Sequence, residues 1–187
     1  MTSKRNFLKQ FFKDKHMVGA VSPSTRFLCD KMLEPVDFKN AKLIIELGPG
    51  TGVFTEEIIR RMRPDAKLLI FELNDNFYGI LNERIKDPRV RLIHDSAEHI
   101  SKYLSVNEKH NTDVIISSLP LMVFPEILRK RVVLESRSCL KNNGKYIQFQ
   151  YSLQSKKLLE AIYTKVKVKF TIKNFPPAFV YTCVKSV

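Results

Sequence analysis

The sequence is 187 residues long, 44% hydrophobic and 27% charged, which suits one globular domain with a full core. Its formal net charge of +13 says little about fold but favours an anionic partner, nucleic acid or an acidic membrane. No apolar run approaches the ~20 residues of a membrane span, no signal-peptide core opens the chain, and the unpaired spacing of Cys29, Cys139 and Cys183 predicts neither a disulfide framework nor a metal site. A cytoplasmic protein is expected.

The first predicted element is "RNFLKQFFKDK". At helical spacing Phe7, Leu8, Phe11 and Phe12 share one stripe, and Asn6, Lys9, Gln10 and Lys13 fall opposite. The chain's own core, a partner or a membrane surface would have to cover that stripe. A second helix follows, capped by Ser22 or Ser24, and residues 1–40 form an added helical layer. From residue 41 strand and helix signals alternate to residue 187. "KLIIELG" is a buried strand; "VFTEEIIRRM" is helical and stops before Pro64. "AKLLIFEL" is a second strand. "NDNFYGILNERI" is a helix capped by Asn74 or Asp75. "RVRLIH" and the short helix "AEHISKYL" come next, then the strand "TDVIISSLP". The long helix "PEILRKRVVLESRSCL" is closed by "KNNG". "GKYIQFQ" is a fifth strand and "SKKLLEAIYTK" a helix. The β-rich runs "VKVKFTIKNF" and "AFVYTCVKSV" flank Pro176-Pro177, a pair suited to a hairpin-like return. Five βα units and a terminal β pair predict a doubly wound α/β sheet, mostly parallel, with an antiparallel C-terminal strand.

The sharpest chemical signal is "ELGPGTG". Gly48, Gly50 and Gly52 close the first strand, where glycine permits a tight turn and close backbone approach of a ligand beside a helix N-terminus. The spacing is GxGxG rather than the GxGxxG of dinucleotide folds, and no Lys-Ser/Thr pair makes it a P-loop. Glu72 closes the second strand, where a carboxylate suits two ribose hydroxyls. Asp95 closes the third and can accept from an adenine amino group. Glu46, inside the first strand, can meet a cationic amino group. Together the acids describe a pocket for an adenosine bearing a positive amino acid.

In their order and spacing, "ELGPGTG", Glu72, "HDSAEHI" and "SSLP" resemble the motifs of class I S-adenosylmethionine-dependent methyltransferases. The resemblance implies a Rossmann-like seven-stranded sheet with S-adenosyl-L-methionine at the strand ends, held by Glu46, Gly48, Gly50, Thr51, Gly52, Glu72, Leu73, Asp95, Ser96, Ala97 and Ser117. It also implies direct in-line transfer to a nucleophile.

The acceptor is read from "ISSLPLMVFP". The rRNA adenine dimethylases, otherwise similar, carry Asn-Leu/Ile-Pro-Tyr here to hold a planar base. Ser118 and Leu121 replace the asparagine and the tyrosine, removing edge partner and stacking platform. The stretch instead resembles the bacterial phospholipid N-methyltransferases, as do "VGAVSPSTRFLCDKM" and "NFPPAFVYTC". That likeness implies an N-methyltransferase acting on the amine head group of a phosphatidylethanolamine-like or other aminolipid, with nucleic-acid adenine as the alternative acceptor. The opening stretch then becomes an interfacial helix that orders on an anionic leaflet, placing the enzyme at the inner face of the membrane. No obligate protein partner is evident.

Methyl transfer from a sulfonium needs little acid catalysis, and the amine must lose its proton before attack. Aromatic faces can hold the methylated cation. Candidate rings are Phe124, Tyr151, Phe175, Phe179 and Tyr181, with Tyr181 favoured because it lies in the motif shared with the lipid enzymes. Ser118 is the expected amine-orienting group, and His16, His94 and His99 are the candidate bases on pKa alone.

Overall fold

The computed structural model describes residues 23–172, 174 and 176–186. The amphipathic opening stretch, His16, Ser22 and Phe175 lie outside the described residues. The first described helix, α1 (Pro23–Leu33), begins at a proline, whose fixed φ and missing N–H suit a first turn. Ser24 therefore lies inside the helix rather than capping it.

The elements that follow are β1 (Leu43–Leu47), α2 (Val53–Arg61), β2 (Lys67–Phe71), α3 (Asp75–Arg84), β3 (Val90–Ile93), a 3-10 segment Ala97–Tyr103, β4 (Thr112–Ser117), a 3-10 turn Leu121–Val123, α4 (Glu126–Cys139), β5 (Leu140–Gln150), α5 (Lys156–Ile162), β6 (Lys165–Thr171) and β7 (Ala178–Val184). The strands form a seven-stranded sheet in the order β3-β2-β1-β4-β5-β7-β6. The first five run parallel, and β7 runs antiparallel to both β5 and β6. This is the expected doubly wound, Rossmann-like sheet. The β6–β7 hairpin pairs Lys165 with Val184 and Thr171 with Ala178, bringing the Pro176-Pro177 return to the carboxyl end of the parallel strands.

Both faces of the sheet are covered, which is why β1 reads as a continuous apolar run. Leu43, Ile45 and Leu47 pack with Val132 of α4 and Leu159 of α5. Ile44, one residue out of phase, packs with Met32 of α1 and Ile58 of α2. Cys29, Cys139 and Cys183 are buried free thiols.

Three local features refine the predicted elements. Asn74, not Asp75, caps α3: its Oδ1 accepts from the amides of Asn76 at 3.0 Å and Phe77 at 3.1 Å. "AEHISKYL" forms a 3-10 segment kinked at His99, where Asp95 holds both the His99 ring and the Tyr103 hydroxyl. "KNNG" is not a helix-closing loop but a bulge inside β5. Thr112 pairs with Leu140 and Val114 with Lys145, so the residues between are extra on the β5 side. Asn143 takes φ 61° there, and its amide donates to Lys185 O at 2.7 Å.

Candidate active site

The glycine loop leaves β1 at the centre of the sheet, where the chain crosses from one side to the other and a crevice opens at the strand ends. Gly48, Gly50 and Gly52 have φ of 66°, 59° and 86°. The Gly48 amide donates to Phe71 O at 2.9 Å, extending the β1–β2 pairing into the loop. The Gly50 amide donates to Glu72 Oε2 at 3.3 Å, and the Asn74 amide donates to Glu72 Oε1 at 2.7 Å. A side chain at Gly48 would place Cβ 2.6 Å from Leu119 Cδ2, whereas one at Gly50 would meet nothing within 4 Å. The loop thus packs against the protein at Gly48 and faces open space at Gly50.

Two buried carboxyls lie beneath it. Glu46 Oε2 accepts from the Thr55 hydroxyl at 2.6 Å, and Oε1 has no partner among the described residues. Burial pushes Glu46 up to about 8, against the Thr55 hydrogen bond and with the neighbouring Glu72 charge adding to the rise. Burial pushes Glu72 up to about 7 despite the amides of Asn74, Gly50 and Leu73. A buried carboxylate oxygen without a donor costs free energy until a cation or donor reaches it.

A pocket opens beside the loop. Glu72, Asp95, Ser96 and the Gly48 backbone are its polar lining, and Phe71, Leu73, Ala97, Leu119, Phe124 and Val132 its apolar lining. Carboxylates beside an apolar wall are chemistry that suits a heterocycle joined to a diol. Of the predicted cofactor residues, Glu46, Gly50, Thr51 and Gly52 do not line it. The Thr51 carbonyl accepts from Arg84 Nη1 at 2.8 Å, and Gly52 turns the chain into α2. Ser117 is also placed differently. It is fully buried, and its hydroxyl accepts from the Leu119 amide at 3.4 Å, bracing the loop from beneath. Asp95 lines the pocket with its carboxylate already engaged. Oδ1 meets the Ser96 amide and His99 Nδ1, and Oδ2 accepts from Tyr103. Burial raises its pKa, but these bonds outweigh that and hold it down to about 2. Oδ2 retains one further acceptor direction.

A second pocket adjoins the first across Leu119. Ser118, Leu119, Pro120, Phe149, Gln150 and Tyr151 line it. The Ser118 amide donates to Leu47 O at 2.9 Å, fixing the loop to β1, and its buried hydroxyl has no partner among the described residues. Tyr151 is 50% exposed and stands edge-on to Phe149, ring centroids 5.6 Å apart. Tyr181, the ring favoured from sequence, is not in this wall. It is fully buried on β7, and its hydroxyl donates to Ser152 O at 3.0 Å, supporting the pocket from behind. Phe179 packs on Phe170, and Phe124 belongs to the first pocket. His94 stacks on Tyr78 and pairs with Asp75, and His99 is held by Asp95, so both rings are engaged outside the second pocket. Sequence reading missed Gln148 and Gln150, whose side-chain amides both donate to Leu119 O. Their alternation on one strand was the available signal.

A family described as "Methyltransferase domain" matches residues 44–144. The ornithine lipid N-methyltransferase of Singulisphaera acidiphila is 25% identical over 179 residues, 95% of this chain and 93% of that protein. The ribosomal RNA small subunit methyltransferase A of Dehalococcoides mccartyi is 31% identical over 111 residues, 58% of this chain and 36% of its own length. The chain thus spans about a third of that rRNA enzyme. Among solved structures, Burkholderia thailandensis 1,6-didemethyltoxoflavin-N1-methyltransferase with bound S-adenosylhomocysteine superposes with a TM-score of 0.73. It shares 13% identity, over 98% of this chain and 87% of that one. The T. thermophilus 16S rRNA N2 G1207 methyltransferase superposes with a TM-score of 0.67 at 17% identity, covering 91% and 45%. At such identities these structures show a shared fold.

Proposed function

The chain belongs to the methyltransferase domain family, an S-adenosylmethionine-dependent class, and from that premise we propose that its acceptor is the amine of a membrane aminolipid. The observation that carries this reading is the second pocket. Its wall is Pro120, Met122, Val123, Phe149 and Tyr151, with the Ser118 hydroxyl at the position where an adenine-binding enzyme would place an amide. That wall suits a small amine on an apolar carrier better than a planar base. The likeness to the ornithine lipid enzyme, over 93% of that protein, supports it further.

The residues present fit the cofactor. Gly50 leaves room for close approach, Glu72 faces the pocket as the acceptor for paired hydroxyls, and the unpartnered Glu46 Oε1 suits a cationic amino group. The bound cofactor supplies a methyl group on a sulfonium, so its departure leaves a neutral thioether. Leu119 stands between the two pockets and limits contact to the reacting atoms. Ser118 Oγ accepts one N–H of the neutral amine and turns the nitrogen lone pair toward the first pocket. With the cofactor bound, the nitrogen held there would be placed to take its methyl carbon as the carbon–sulfur bond breaks. The faces of Tyr151 and Phe149 hold the resulting ammonium by cation–π attraction, worth about 0.5–2 kcal/mol. The proton leaves to water at the open mouth before attack, and positioning supplies much of the acceleration.

The test is transfer of labelled methyl from S-adenosylmethionine to vesicles containing phosphatidylethanolamine or an ornithine-type lipid, compared with deproteinised rRNA. Label in lipid alone is the expected result. Label in RNA adenine with none in lipid would establish the second reading, which the net charge of +13 and the match to rRNA methyltransferases favour. In the lipid reading the protein works at the inner face of the membrane. No helix among the described residues is long and apolar enough to cross one.

A further inference from the structure

We propose that the carboxyl end of β5 and β6, beside the mouth of the second pocket, is a docking surface for an anionic lipid bilayer. The inference rests on the aminolipid reading and specifies how the site reaches its substrate. Tyr151 and Leu153 follow β5, while Phe170 lies near the end of β6 and Ile172 just follows it. They expose 50%, 48%, 53% and 74% of their surface. The register joins these ends: Gln150 pairs with Phe179, and Phe179 with Phe170. One strand separates β5 from β6, so at ~4.8 Å per strand the four side chains spring from ends about 10 Å apart. The Phe179 ring bridges the gap, 4.8 Å from that of Phe170. Ile127, 67% exposed at the start of α4, lies at the same end of the sheet. The patch is continuous with the acceptor site, because Tyr151 also lines the second pocket.

Cations flank the apolar tip on two elements. Lys167 and Lys169 lie on β6 with exposed side chains, Lys169 pairing with Glu34 at 2.7 Å, and Lys156 and Lys157 open α5 just beyond Leu153, Lys156 pairing with Glu160 at 3.6 Å. Lysines on an edge strand have a simpler use, blocking pairing with another chain. That accounts for the lysines but not for Phe170 and Ile172, which raise the hazard on the same strand. Apolar tips flanked by cations instead match the headgroup boundary of an anionic leaflet, where rings and aliphatic chains enter and ammonium groups meet phosphate. Docked this way, the second pocket opens at the depth of the lipid amines.

The test uses the full chain with Leu153→Ser, Phe170→Ser and Ile172→Ser combined, and Val106→Ser as control. Val106 is 86% exposed but precedes β4, at the opposite end of the sheet. Co-sedimentation is measured with phosphatidylcholine vesicles with and without phosphatidylglycerol. The triple variant should lose about tenfold or more in vesicle affinity, while Val106→Ser keeps wild-type affinity. Both should keep calorimetric affinity for S-adenosylmethionine, which shows that the fold and first pocket survive. The triple variant should methylate a short-chain, water-soluble aminolipid at the wild-type rate yet be slow on vesicles. Unchanged vesicle binding in the triple variant overturns the docking surface while leaving the aminolipid reading intact. So does equal loss in Val106→Ser, or a self-associated form that the triple variant dissolves, since the patch would then belong to a second copy. Failure of the wild type to methylate any aminolipid, soluble or vesicular, overturns the aminolipid reading itself.

Discussion

Gln148 and Gln150, two residues apart on the same face of β5, donate their side-chain amides to one oxygen, the carbonyl of Leu119, at 3.0 Å each. The strand period of two puts both side chains on that face. The pair pins the loop that separates the two pockets. Gln148 is the more deeply tied, since its Oε1 accepts from the Tyr146 hydroxyl at 2.7 Å.

Removing one glutamine should therefore do little and removing both much more. Gln150→Leu leaves the carbonyl with the Gln148 donor, an expected loss of about 0.5–1.5 kcal/mol in acceptor kcat/KM. The double variant leaves the oxygen bare, and its loss should exceed the sum of the single ones. A double-mutant cycle on methyl transfer checks this, with cofactor affinity as the quantity that stays fixed. Strict additivity would mean that the two bonds do not share the loop.

The glycines should separate folding from cofactor binding. Gly50→Ala meets no atom within 4 Å but holds φ at 59°, so it should fold with a loss of about 1–2 kcal/mol. Its affinity for S-adenosylmethionine should fall more than that, because the methyl group occupies the approach. Gly48→Ala adds a clash 2.6 Å from Leu119 Cδ2 and should melt earlier. Thermal melting beside calorimetry distinguishes the two. A Gly50→Ala protein with wild-type affinity would move the cofactor away from this loop.

Affinity for the cationic cofactor should rise with pH. Burial holds Glu72 at about 7 and Glu46 at about 8, above the ordinary 4.5 of the unfolded chain. Folded carboxyls that keep their protons longer than unfolded ones lower the stability of the ligand-free protein as pH climbs from about 4.5 through about 8. Ionised carboxylates are the better partners for hydroxyls and a positive amino group, so binding drives proton release near neutrality. Calorimetry in buffers of different ionisation enthalpy should detect those protons, and Glu72→Gln should remove part of the release. A pH-independent affinity would exclude both acids from the site.

Ser118→Ala should uncouple stability from turnover. The hydroxyl is buried without a partner among the described residues, so deleting it should leave the melting temperature unchanged or slightly higher. Transfer to the amine should fall, with cofactor affinity retained. Undiminished turnover would leave the lone-pair orientation to the backbone alone.

The parts of the site that were legible in the sequence are those fixed locally. Gly50 and Glu72 sit at strand ends marked by apolar runs, and a strand end is where a parallel sheet exposes its chemistry. Residue type narrowed the α3 cap to Asn74 or Asp75, and the hydrogen bonds of Asn74 decide it. The residues misread depend on pairings that no local pattern contains. Tyr181 lies opposite Gln148 in the β5–β7 register, which turns its ring into the core. Ser117 ends β4 fully buried, and its hydroxyl takes the Leu119 amide beneath the loop. "KNNG" carries the composition of a loop, yet the Lys185 backbone captures it as part of β5.

Leu119 is a wall of both pockets. A partition of this kind is a coupling device, and coupling between two ligands is reciprocal. Whatever factor the cofactor contributes to acceptor affinity by seating this side chain, the acceptor must return to the cofactor. On the proposed assignment of the two pockets, the methylated product and the demethylated cofactor would meet the same wall from opposite sides, so binding of one changes the hold on the other.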